Sequence, residues 1–107
     1  MLISASVDAF TPLAVHLLGD PLRAQIVGLL ADEQLCTCHL VEATGARQST
    51  VSHHLRILRE AELVEAIPDG RFTYYRLRAK PLAELAERIG RLAASADDAP
   101  RRRRPCE

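Results

Sequence analysis

The stretch "QLCTCHLVEATG", residues 34–45, places Cys36 and Cys38 one residue apart, ahead of an apolar run. Thiolates select soft, thiophilic ions, so the pair is a candidate ion site. Its spacing is informative. Residues two apart point the same way on an extended segment but diverge on a helix. Both thiols can meet one ion only if the helix start is frayed or unwound. The one other thiol, Cys106, follows Pro105 and four consecutive arginines near the C-terminus. His16 and His39 offer imidazole nitrogens that, with the cysteines, would suit zinc or cadmium.

A second set of residues, "RQSTVSHHLRIL" (47–58), could read a nucleic acid. An α-helix fits the major groove of B-DNA if small polar groups near its N-terminal end let it approach closely. Gln48, Ser49, Thr50, Ser52 and His53 meet that requirement. Glutamine can bond adenine through two hydrogen bonds, and serine or threonine can bond bases or phosphates. Arg47 and Arg56 flank the set, placed to reach phosphates. Arg71, beside a predicted hairpin turn, would touch a flanking phosphate or the minor groove. Each polar residue alone is what any exposed helix carries. The basic flanks, polar N-terminal face and basic hairpin tip together point to DNA. His54 lies beside the apolar stripe, so the expectation there is a half-buried ring with one hydrogen bond rather than a base contact.

The elements that must position these residues follow from periodicity. Asp8 can cap a helix carrying Phe10, Leu13, Leu17 and Leu18. Asp20 followed by Pro21 is a strong helix start, and Leu22, Ile26, Leu29 and Leu30 form a core-facing stripe. A short helix through Leu40, Val41 and Ala43 should end at Gly45. Val51, Leu55 and Leu58 stripe the next helix, giving a helix-turn-helix pattern. "LVEAIPDGRFTYYRL" then shifts to a strand-like period, with Asp69-Gly70 as the hairpin turn and Pro68 marking an edge position. Pro81 opens a last helix striped by Leu82, Leu85, Ile89 and Leu92. The order predicts a mainly α (α+β) winged helix-turn-helix fold with a two-stranded β-hairpin wing. Residues 1–95 form the domain and 96–107 a flexible basic tail.

Composition bounds the function. The 107 residues are 48% hydrophobic and 26% charged, which suits one small globular domain. No apolar run is long enough to cross a bilayer, and "MLISASVDAF" lacks the basic start of a secretory signal, so a cytoplasmic location is expected. The formal net charge is zero, but residues 47–80 hold seven basic side chains against four acidic ones. A local basic footprint between acidic flanks suits a polyanionic partner.

"LCTCHL", "STVSHHLRIL" and "DGRFTYYRL" occur in an order and spacing that resembles the ArsR/SmtB metalloregulatory repressors of bacteria, over roughly residues 8–95. The chain is similar to the arsenic-responsive branch, whose cysteine motif reads like "ELCVCDLC". The resemblance implies a homodimer, joined through its first and last helices, that binds a two-fold symmetric operator. It implies release when As(III) or Sb(III) takes three thiolates. Val41 stands where that motif has its third cysteine, so the expected ligand set is Cys36, Cys38 and Cys106, the last possibly from the other subunit. The resemblance also departs at Glu62, where the family usually has glycine to end the recognition helix. Glutamate there must adopt another cap or strain the backbone. The other family site, on the last helix, uses Asp, His and Glu, and "PLAELAERIGRLAASADD" has no histidine.

Competing readings are a Zn(II)/Cd(II)-responsive repressor of the same fold, a DNA-binding regulator without metal sensing, and a thiol oxidoreductase. The last finds no cofactor loop, and a disulfide across one residue would be strained, so the expectation is not an enzyme.

Overall fold

The computed structural model describes residues 16–98 and 102–106. The expected Asp8 cap, with Phe10 and Leu13, lies outside them. The elements are α1 (His16–Gly19), α2 (Pro21–Leu30), β1 (Leu35–Cys36), α3 (Thr37–Thr44), α4 (Gln48–Glu60), β2 (Val64–Asp69), β3 (Phe72–Leu77) and α5 (Ala79–Asp98).

Local chemistry sets the helix ends. The Asp20 carboxylate accepts from the backbone N–H groups of Leu22 and Arg23 at 2.9 and 3.1 Å, and Pro21 takes the first helical position, where a missing N–H is harmless. Gly45 closes α3 with φ +75° and an N–H donated to Val41. At the end of α4 the strained alternative is realised. Glu62 adopts φ +64°, and its N–H and that of Leu63 donate back to the carbonyls of Arg59 and Leu58. Glu62 thus does a glycine's work in a left-handed helix stop.

The core joins α2, α3 and α4 through Ile26, Leu30, Leu40, Val51, Leu55 and Leu58, with Leu17, Leu63 and Val64 at its border. The α4 stripe is fully inside, which turns Ser49, Ser52, His53 and Arg56 to solvent. Burying each such aliphatic side chain contributes about 1.5–3 kcal/mol. One charged side chain joins them: Arg23 is buried, its Nε donating to the Leu17 carbonyl at 2.9 Å and its Nη1 to His54 Nδ1 at 3.0 Å. His54 has the half-buried, hydrogen-bonded role expected of it.

The expected two-stranded hairpin is present as β2–β3. A third, short strand extends it into an antiparallel sheet in the order β1-β3-β2. β1 is only two residues long, too short for alternation to show in the sequence. It pairs Leu35 with Tyr75 and Cys36 with Tyr74. The two-residue connection is Gly70–Arg71 rather than Asp69-Gly70, because Asp69 still pairs with Phe72. Gly70 has φ +65°, the glycine-first arrangement that suits twisted strands. Pro68 lies on the edge strand β2, where no ladder partner is lost.

Helix α5 begins two residues before Pro81, which therefore sits in the first turn, and it continues past residue 95 to Asp98. Leu82 packs on the core and Leu85 is buried. Beyond them the apolar stripe is open: Ile89 is 50% and Leu92 58% exposed. Among the described residues no helix is long and apolar enough to cross a membrane.

Candidate metal centre and nucleic-acid interface

Cys36 ends β1 and caps α3, while Cys38 lies in the first turn of that helix. The two thiols therefore straddle a strand-to-helix junction. The frayed helix start inferred from the spacing is, in the structure, a short ordered strand. It brings the sulfurs together, with Sγ–Sγ at 2.6 Å. His39 completes the group. Its Nδ1 accepts the Cys36 backbone N–H at 3.2 Å and lies 3.3 Å from Cys36 Sγ. Cys36 and His39 thereby form a reciprocal cap at the helix start. The two sulfurs and one imidazole nitrogen all lie within 4.8 Å of one another. This donor set fits a thiophilic ion.

The two thiols differ electrostatically. Burial pushes Cys36 up, but the Cys38 thiol and backbone N–H groups aimed at its sulfur outweigh that and hold it below the ordinary thiol value. Its hydrogen bond to Cys36, then burial, then the Cys36 charge push Cys38 up. Of the two, the buried Cys36 is the thiol that gives up its proton more readily, and the exposed Cys38 holds its proton more tightly.

The site also leans on the wing. The His39 ring approaches the Tyr74 ring with centroids 6.2 Å apart, and Tyr74 is the register partner of Cys36. Sequence reasoning named His39 only as an alternative ligand and missed Tyr74 altogether. The available signal was the "TYYRL" run itself, with no pattern to say what it faces. Cys106 is exposed in the C-terminal segment and His16 is exposed at the head of α1, and neither joins the group within one chain.

On the nucleic-acid side, Ser49, Ser52, His53 and Arg56 share one exposed face of α4, where Arg56 Nη2 donates to His53 Nδ1 at 3.3 Å. Arg47 and Gln48 are exposed at its N-terminal end, and Thr50 is half-buried. Arg71 is exposed at the wing turn. Sequence reasoning missed Arg59 and Tyr75, which border the same face.

Comparison with known proteins agrees with this architecture. The family model described as bacterial regulatory protein, arsR family, matches residues 20–66. An HTH-type transcriptional regulator of Methanocaldococcus jannaschii is 35% identical over 75 residues, covering 66% of this chain and 84% of that protein. The arsenical resistance operon repressor of Staphylococcus aureus is 33% identical over 75 residues, covering 70% of this chain and 72% of the repressor. The solution structure of a homodimeric winged helix-turn-helix DNA-binding domain from Mycobacterium bovis superposes with a TM-score of 0.65 at 27% identity. It covers 98% of this chain and 94% of that one.

Proposed function

The chain belongs to the arsR family of bacterial regulatory proteins, and from that premise we propose a homodimeric operator-binding repressor released by a soft ion at Cys36 and Cys38. It is a transcriptional regulator with a winged helix-turn-helix fold, not an enzyme. The single observation that carries the sensing reading is the convergence of Cys36 Sγ, Cys38 Sγ and His39 Nδ1 at the start of α3.

DNA is read by α4, with Gln48, Ser49, Thr50, Ser52 and His53 toward base edges and Arg47, Arg56 and Arg71 toward phosphates. Two copies meet through the open stripe of α5, where Ile89 and Leu92 would leave water. A two-fold dimer then presents two recognition helices to successive major grooves. As(III) or Sb(III) is the favoured inducer, with Cys106 as third thiolate, delivered by the tail of either subunit.

When bound, the ion supplies a single point that ties Cys36 to Cys38. Both thiols would lose their protons to hold it, Cys36 the more readily of the two. Because Cys36 belongs to β1 and Cys38 to α3, tying them constrains the angle between wing and helix-turn-helix. Release follows only if that constrained geometry suits DNA less well, and couplings of this kind are about 1–3 kcal/mol, or 5–150-fold in affinity.

A second reading, a Zn(II) or Cd(II) inducer, is favoured by the nitrogen donor of His39 inside the same cluster. One titration separates them. Arsenite and cadmium are each added to DNA-bound wild type, Cys36→Ser and Cys106→Ser while fluorescence anisotropy follows release. Arsenite-driven release lost in both variants supports the three-thiolate site. A normal arsenite response in Cys106→Ser removes that cysteine from the set, and one in Cys36→Ser overturns the sensing reading.

A further inference from the structure

Between α4 and the sheet runs a groove of about 490 Å³, lined by Ser49, Ser52, His53, Arg56, Arg59 and Tyr75. Its chemistry is one-sided. Two guanidinium groups, an imidazole, two aliphatic hydroxyls and a phenol face it, and no carboxylate lines it. Every one of these groups can donate a hydrogen bond, and the permanent charges are both positive.

The arginines elsewhere on the sheet are arranged differently. Arg76 is paired with Glu65 on the outer sheet face, and Arg78 reaches Glu62 at 3.7 Å. Among the described residues Arg59 has no such carboxylate: Glu60 is its neighbour in sequence but does not line the groove. Arg76 and Arg78 each have a carboxylate beside them, and Arg56 and Arg59 in the groove face none among the described residues.

Position gives the open charges a purpose. Arg59 lies seven residues after Ser52 and three after Arg56, so it continues the exposed α4 stripe toward the C-terminal end of the helix. Tyr75 comes from β3, a wing strand, and closes the groove from the other side. On the DNA-binding reading above, a strand that passes from α4 to the wing would run along this gap.

We propose that Arg59 and Tyr75 seat a DNA backbone phosphate between the recognition helix and the wing. This rests on the DNA-binding reading above and extends it to two residues outside the expected contact set. The seat takes a phosphodiester and reads no base. It fixes where α4 enters the groove, so its contribution is uniform across sequences.

The test uses the full chain and a fluorescein-labelled duplex that the wild type has selected from a randomised pool. Binding is measured by anisotropy across a salt series for wild type, Arg59→Gln, Arg59→Lys, Tyr75→Phe and Arg76→Gln. Each lost phosphate contact lowers the slope of log affinity against log salt by about 0.9, so Arg59→Gln in a dimer should lower it by about 1.8. Arg59→Lys should restore it. Tyr75→Phe should weaken binding with the slope unchanged, since a phenol carries no charge, and Arg76→Gln should do neither. Discrimination against a scrambled duplex should survive in every variant. Far-ultraviolet circular dichroism checks folding, and because Arg59 is exposed its variants should fold. A wild-type slope in Arg59→Gln, or lost discrimination, overturns the phosphate seat alone. Wild-type protein that selects no duplex overturns the DNA-binding reading and the seat with it.

Discussion

Cys36 stands directly across the β1–β3 ladder from Tyr74, and the Tyr74 ring also meets the ring of His39. The candidate sensor is therefore part of the same ladder as the strand that builds the wing. The recognition helix is reached only indirectly, through α3 and the turn at Gly45. The wing is the shorter route for a strain that starts at the thiols. Replacing Tyr74 with leucine should leave DNA affinity and ion affinity close to wild type but weaken their linkage. Titrating the ion against free and DNA-bound protein measures this. An unchanged ratio of the two affinities would show that the wing plays no part.

His39 holds two roles, and they can be separated. His39→Ala should remove the reciprocal cap on α3 and cost about 1 kcal/mol of stability, read by urea unfolding. It should also weaken cadmium binding, followed by thiolate-to-metal absorbance, while arsenite binding holds. Equal losses for both ions would assign His39 to the helix alone.

The open stripe of α5 predicts the assembly. Glutamate at both Ile89 and Leu92, which are half exposed or more in the single chain, should leave the fold intact and abolish the dimer. Light scattering should give the mass of one chain, and DNA affinity should fall because only one reading head engages. A dimer that persists would place the interface elsewhere.

His54 gives the chain an acid sensitivity of stated sign. Burial holds its pKa below 6.5, with Arg23 and His53 acting in the same direction and Asp20 opposing. The unfolded chain therefore binds the proton more readily than the folded one. Stability is fully present above the unfolded value and declines as pH falls from about 6.5 toward the folded value. Replacing His54 with glutamine should flatten unfolding free energy over that range. A slope equal to wild type would assign it to other groups.

Glu62 sits in the left-handed region with φ +64°. A side chain there costs about 1–2 kcal/mol, and its ion pair with Arg78 is exposed and weak. Glu62→Gly should therefore raise stability by about 1 kcal/mol, less what glycine loses in chain entropy. Thermal unfolding decides it.

Much of this molecule was legible before its coordinates. The Asp20-Pro21 start, the Gly45 stop and the Val51/Leu55/Leu58 stripe are local signals, and each produced the expected element. What the sequence hid depends on distance. A two-residue strand has no periodicity, so β1 became visible only through its pairing with Tyr74 and Tyr75. Arg23 carried no signal of its burial, because nothing in the chain announces that Leu17 and His54 will close over it. The cysteines were found by type and spacing. Their relation to His39 and Tyr74 required the fold.

The buried Arg23 has a mechanical consequence. One side chain grips the carbonyl of Leu17 in α1 and the ring of His54 in α4. In a dimer joined through its terminal helices, that makes Arg23 a strut between the seam and the reading head. The two heads would then move as calipers with a stiffened hinge. On the dimer proposed above, each head would be braced from inside its own subunit, and the spacing of operator half-sites would follow from that brace as much as from the seam.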